Sequence, residues 1–170
     1  GRKRIITPSP VKKFALEQKL QVHTPEYANS KDTIEIVNSL SPEIILVCAY
    51  GQILTQQFLD IPDIGCFNVH FSFLPVLRGA SPVQTAISSG LKTTGVSLQK
   101  IVLRLDSGPL VVFSEEIEIL QDDTTPTLGR KLSEVGGTLI SKNLENILEG
   151  DFTLTEQNES HATYCGIIKK

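Results

Sequence analysis

Asn68, His70 and Asp106 are the side chains of this sequence best placed to do chemistry together. Phe67-Asn68-Val69-His70 alternates apolar and polar residues. That is the period of a β-strand, so Asn68 and His70 share a face, with Cα atoms about 6.5 to 7 Å apart. An amide and an imidazole at that separation can act on one small group, and Leu105-Asp106-Ser107-Gly108 further along offers a carboxylate. An Asn beside a His can also do no more than satisfy backbone groups at a strand end. Here, however, the strand runs out into the Pro- and Gly-containing segment Phe71 to Gly79. That pattern resembles the carboxyl edge of an open α/β sheet, where ligands bind, and it favours function. Ser72 offers a hydroxyl two positions beyond His70, but no strained, glycine-flanked nucleophile turn surrounds it. It is read as shaping the loop.

Asn68-Val69-His70, Ser72, Leu74-Pro75, Arg78-Gly79, Ala80, Pro82, Gln84, Ala86-Ile87, Gly90, Thr94-Gly95-Val96 and Leu105-Asp106 with Gly108 resemble the folate-dependent formyltransferases, in particular the branch that acts on methionyl-tRNA. Ala49-Tyr50-Gly51-Gln52-Ile53-Leu54 resembles that family's folate-site segment, Gly1-Arg2 and Pro8 to Lys12 its basic loop and following helix start, and Ala162-Thr163-Tyr164 the start of its interdomain linker. The resemblance covers essentially the whole chain, and several motifs keep their spacing without gaps. Phe71, Phe73, Val76-Leu77 and Ser81 depart from the family pattern beside the site, which bears on substrate fit more than on reaction type.

The resemblance implies transfer of a formyl group from 10-formyltetrahydrofolate, as co-substrate and without a metal, to the amino group of initiator methionyl-tRNA. It implies catalytic roles for Asn68, His70 and Asp106, and folate contacts from Tyr50, Gly51, Ile53, Leu54, Ser72, Leu74, Pro75 and Gly108. It implies tRNA contacts from Arg2, Lys3, Arg4 and Arg78, and a cis peptide between Leu74 and Pro75. Such a transfer passes through a tetrahedral carbon bearing an oxyanion, to which Asn68 and His70 can donate. One oxyanion donor is worth about 2.7 to 4 kcal/mol in a measured case. Asp106 can hold His70 in its useful protonation state and help relay the proton lost by the attacking amine. Formylation of a sugar nucleotide or of glycinamide ribonucleotide, hydrolysis of the formyl-folate, and a noncatalytic folate-binding module are the alternatives. Pro8 to Lys12, Ala80 to Gln84 and Ala162 to Tyr164 favour the tRNA branch; the three site residues together favour turnover.

Composition agrees with one globular domain. The 170 residues are 40% hydrophobic, enough for a core. No apolar run reaches a membrane span and no secretory leader opens the chain, so a bacterial cytoplasm or an organelle matrix is expected, without membrane attachment. The three cysteines, Cys48, Cys66 and Cys165, form no Cys-x-x-Cys pair and are read as reduced core thiols. The net charge of −3 is uneven, because Arg2, Lys3, Arg4, Lys12 and Lys13 precede the first carboxylate, Glu17. A solvated terminus or an RNA contact explains that cluster. Oligomeric state is open, with a monomer the expectation.

The elements that must position these residues follow from periodicity. Pro10 to Leu20 behind Ser9, Ser30 or Asp32 to Leu40, Pro82 to Ser89 and Thr125 to Gly150 read as helices. Gln21 to His23, Ile44 to Ala49, Val96 to Val102 and Leu110 to Leu120 read as strands, the last two as an antiparallel edge pair. Residues 151–170 read as a short hairpin entering a linker. The expected fold is α/β: a three-layer, Rossmann-like formyltransferase fold, mostly parallel with an antiparallel edge. The resemblance implies that residues 1–160 form the catalytic domain and that 161–170 begin a linker. The family's first strand-helix-strand unit and its C-terminal barrel have no counterpart in this sequence, which also lacks an initiator Met; an interior part of a longer polypeptide is expected.

Overall fold

The computed structural model describes residues 7–168. Four strands make its central sheet: β1 (Ile44–Cys48), β2 (Gly65–His70), β5 (Ser97–Lys100) and β6 (Leu110–Phe113), in the order β1-β2-β5-β6. β1 and β2 are parallel, while β2–β5 and β5–β6 are antiparallel. The sheet is therefore mixed, and its antiparallel share among the described residues is larger than a single edge. Two two-residue ladders lie outside it. β3 (Arg78–Gly79) pairs in parallel with β8 (Tyr164–Cys165), and β4 (Thr93–Thr94) pairs antiparallel with β7 (Ile117–Glu118).

Strand alternation sends residues to two different cores. Phe67, Val69 and Leu98 face one side, where they cluster with Val83 of α4 (Pro82–Ser88) and with Leu128, Leu132, Leu139 and Ile147 of α5 (Thr125–Leu148). Cys66 faces the other side with Ile45 and Val47, under Ile34 of α2 (Lys31–Ser39), Leu54, and Phe58 and Leu59 of α3 (Gln56–Leu59). This is the expected three-layer arrangement. Asn68 and His70 belong to the second face, at the end of β2 where that core stops. Leu128 and Leu132 are fully buried, each worth about 1.5 to 3 kcal/mol of apolar transfer.

Side-chain caps set where the helices begin. Ser9, Ser30 and Thr124 accept from the backbone N–H of Lys12, Thr33 and Thr127 at the starts of α1 (Pro10–Glu17), α2 and α5. The apolar residues of α1 are not covered: Val11 is 79% and Phe14 61% exposed.

Four expectations need correction. Gln21 to His23 forms no strand, because its backbone has no ladder partner among the described residues. Leu110 to Leu120 is interrupted: the Ser114 hydroxyl accepts the Val96 N–H at 2.9 Å, ending β6 before β7 begins. Residues 151–168 form no hairpin; Thr155 bridges Leu110, and β8 pairs with β3. Cys48 is exposed rather than a core thiol, while Cys66 and Cys165 are buried.

Candidate active site

β2 and β5 bring polar side chains together by register. Asn68 lies opposite Gln99 and His70 opposite Ser97, so all four share the face that continues past the apolar cluster. The turn after β5 then returns Asp106 over this face in a left-handed conformation, φ +46°. Such a φ is uncommon outside glycine but several-fold enriched in Asp.

The Asp106 carboxylate is held by donors on both oxygens. Oδ1 accepts from Gln99 Nε2 at 2.9 Å and from Asn68 Nδ2 at 3.3 Å. Oδ2 accepts from the Gly79 backbone N–H at 2.8 Å and lies 3.7 Å from His70 Nδ1. The other imidazole nitrogen, Nε2, is 2.8 Å from the Leu77 carbonyl. A carbonyl can only accept, so Nε2 carries a proton and Nδ1 is the nitrogen left to exchange one. His70 is 5% exposed, which protects this arrangement from competing water. Asn68, His70 and Asp106 thus converge as the strand alternation predicts. Gln99, which the sequence reading missed, completes the set; its signal was its place opposite Asn68, visible only once β2 and β5 are paired.

The loop after His70 is built largely from internal bonds. Ser72 is buried and its hydroxyl donates to the Val76 carbonyl, so its observed role is to shape the loop. Leu74 is buried, with its N–H donating to Ser97 Oγ at 3.0 Å, and the Leu74–Pro75 peptide is cis, as the resemblance implies. Phe71 and Phe73 turn to packing: Phe71 joins the core under α5, and Phe73 fills the space a Cβ on Gly95 would need, edge-on to Phe113 at 5.9 Å. Gly108 is required by backbone proximity, since a Cβ there would lie 1.7 Å from the Lys100 carbonyl oxygen.

In the segment leaving β1, Tyr50 is 44% and Ile53 77% exposed, and Gly51 has nothing within 4 Å of where a Cβ would stand. Val47 pairs with Asn68, so this exposed apolar stretch leaves the sheet at the site's edge. Leu54 is buried in the cluster with Phe58 and serves the core.

Arg78 is a correction. Expected at an RNA surface, it is fully buried. Its guanidinium donates to Gln157 Oε1 at 3.0 and 2.8 Å, to both Glu159 oxygens at 3.2 and 2.7 Å, and to the Tyr164 hydroxyl at 3.3 Å. A buried arginine persists only with such partners. The hydrogen bond to Glu159 holds the arginine's pKa up, and the same bond holds the Glu159 carboxyl below its ordinary range. Arg104 also reaches Glu159, at 2.8 Å. Arg2, Lys3 and Arg4 lie outside the described residues. Cys165 donates its thiol to the same Leu77 carbonyl that His70 uses, at 3.3 Å, and burial pushes its pKa up.

Among the described residues no helix is long and apolar enough to cross a membrane, and no group of three or more His, Cys, Asp or Glu side chains is arranged to hold a metal ion.

Residues 1–144 match a family model described as Formyl transferase. All of this chain aligns at 42% identity with 54% of a methionyl-tRNA formyltransferase of Kosmotoga olearia, and at 40% identity with 53% of one from Bacillus subtilis strain 168. The chain spans about half the length of the curated relatives it matches. Among solved structures, a formyltransferase of Anoxybacillus kamchatkensis in complex with tetrahydrofolate superposes with a TM-score of 0.73 at 21% identity, covering 92% of this chain and 80% of that one. A phosphoribosylglycinamide formyltransferase of Bacillus halodurans superposes at 0.71 with 24% identity, covering 84% and 77%. At such identities the superpositions establish the fold.

Proposed function

The chain belongs to the formyl transferase family, and on that footing we propose that it is the catalytic portion of a methionyl-tRNA formyltransferase, moving a formyl group from 10-formyltetrahydrofolate to the amino group of initiator methionyl-tRNA. The observation that carries the reading is the Asp106 carboxylate accepting from Asn68 at 3.3 Å while lying 3.7 Å from His70 Nδ1. The identity of 42% and 40% to methionyl-tRNA formyltransferases along the whole chain supports this acceptor over others. Residues 1–160 are the catalytic unit in this proposal and 161–170 begin the linker, with the bacterial cytoplasm or an organelle matrix as the compartment.

Three residues divide the chemistry. The attacking amine must lose a proton, and His70 Nδ1 beside Asp106 is placed to receive it. Once protonated, Nδ1 becomes a donor to the developing oxyanion, the second N–H of Asn68 can serve the same oxygen, and the proton can then pass to the folate nitrogen as its bond to the formyl carbon breaks and tetrahydrofolate leaves. Asp106, held by three donors, then stabilises the imidazolium without moving. The exposed ring of Tyr50, the exposed Ile53 and the open backbone at Gly51 suit a flat heterocycle such as a pterin. Ser72, Leu74, Pro75 and Gly108 support the folate through loop shape. Arg2, Lys3 and Arg4 supply the phosphate contacts that an acceptor stem needs.

The test is to incubate the full-length protein with 10-formyltetrahydrofolate and methionyl-tRNA, with a sugar nucleotide amine and glycinamide ribonucleotide as competing acceptors. Formylmethionyl-tRNA as the principal product supports the reading. Preference for either small acceptor overturns it.

A further inference from the structure

The segment between α5 and β8 crosses back over the active site, and Gln157 is its innermost side chain, buried at 8% exposure. The orientation of its amide is dictated by chemistry. Arg78 Nε and Nη2 both point at Oε1, and a guanidinium has donors only. Oε1 therefore faces Arg78, and Nε2 faces the Asp106 turn. There the two N–H groups of Nε2 are shared among three acceptors, the Gly108 carbonyl at 2.6 Å, the Asp106 carbonyl at 3.0 Å and Gln99 Oε1 at 3.3 Å. The last contact orients Gln99 in turn, leaving Gln99 Nε2 to donate to Asp106 Oδ1. A one-way chain of donors thus runs from Arg78 through Gln157 and Gln99 to the Asp106 carboxylate.

We infer that Gln157 is a positioning residue for the proposed formyl transfer, setting both the backbone turn that carries Asp106 and the direction of the Gln99 amide that holds its carboxylate. The inference rests on the reading of Asp106 as part of the active site. Asp106 sits at φ +46°, a conformation that persists when its surroundings over-determine it. Two donated bonds on carbonyls within that turn are such a constraint. Without them the turn relaxes, and an acceptor at position 157 competes with Asp106 Oδ1 for the donors of the Gln99 amide, so the carboxylate leaves its place beside His70 Nδ1.

A purely adhesive role for Gln157 makes a different prediction, and Gln157→Glu separates the two. A carboxylate at this position still accepts from Arg78, so the segment stays docked, but it offers no donor to the turn. In the full-length protein the thermal midpoint of Gln157→Glu should fall, because a carboxylate oxygen then faces the Gly108 and Asp106 carbonyls, while at temperatures well below that midpoint both KM values should be little changed. The kcat should fall about tenfold to a hundredfold, the cost of a misplaced group of about 1 Å. Wild-type kcat in this variant overturns the inference. Crystals of the same variant give a readout independent of turnover. Loss of the bond between the Gly79 N–H and Asp106 Oδ2 is expected, and its retention overturns the inference. Should the wild type form no formylmethionyl-tRNA while that bond is lost in the variant, the functional reading fails and the positioning stands.

Discussion

The backbone N–H of Gly79 donates to Asp106 Oδ2 at 2.8 Å. This one bond ties the loop after β2, which carries His70's partner Leu77, to the turn after β5. Gly79 is itself held in β3 against Cys165, so close that a Cβ would meet the Cys165 carbonyl oxygen at 2.1 Å. The loop after β2 and the turn after β5 thus meet at a single carboxylate, with β8 packed against Gly79.

Asn68→Ala and Asp106→Ala in the full-length enzyme should each lower kcat by about a hundredfold or more while leaving the affinity for folate nearly unchanged. Their contacts strengthen as oxyanion charge and proton transfer develop. The double variant should be far less impaired than the product of the two single losses, because the residues serve one network. Steady-state turnover together with folate titration by fluorescence checks both points; independent, multiplicative losses would show that the two side chains do not act as a unit.

Gly108→Ala should destabilise the fold by about 2 kcal/mol or more, since the added methyl collides with the Lys100 backbone, which cannot rotate away. Gly129→Ala provides the contrast. It lies within α5 with nothing near its Cβ position, so it should stabilise by roughly 0.5 to 1 kcal/mol. Urea unfolding of the two variants should move the midpoint in opposite directions.

Glu159 makes stability depend on acid. Its carboxyl is held below the ordinary range first by the hydrogen bond from Arg78. A depressed folded-state pKa gives stabilisation that is complete above the unfolded value, near 4.3 for glutamate, and is lost as pH falls through the folded one. The wild-type melting temperature should therefore drop below about pH 4. Glu159→Gln should be less stable than the wild type at pH 7, with a shallower acid limb. Parallel melting curves across that range would remove the assignment.

Arg2→Ala should raise KM for methionyl-tRNA, leave kcat unchanged and reduce the salt dependence of tRNA binding, because a phosphate contact contributes mainly counterion release. An unchanged salt slope would take Arg2 out of the tRNA interface.

Local signals were readable in the sequence and long-range ones were not. Thr125-Pro126 at its start, and Leu128, Leu132 and Leu139 at helical spacing, mark α5 without help from elsewhere. The alternation of Phe67 to His70 predicts which face carries Asn68 and His70. The burial of Arg78 was not legible because its partners Gln157, Glu159 and Tyr164 lie 79 to 86 positions away, and its placement at an RNA surface came from the resemblance alone. β3 and β8 are two residues each, too short for any period. Gln99 joins the site only through the β2–β5 register, which no residue within either strand encodes alone.

The most direct test of the account is the turnover of His70→Ala in the full-length enzyme at saturating 10-formyltetrahydrofolate and methionyl-tRNA. Removing Nδ1 takes away both the acceptor of the amine's proton and the donor formed from it, so kcat should fall by about a hundredfold or more. A His70→Ala enzyme that forms formylmethionyl-tRNA at the wild-type rate would contradict the mechanism.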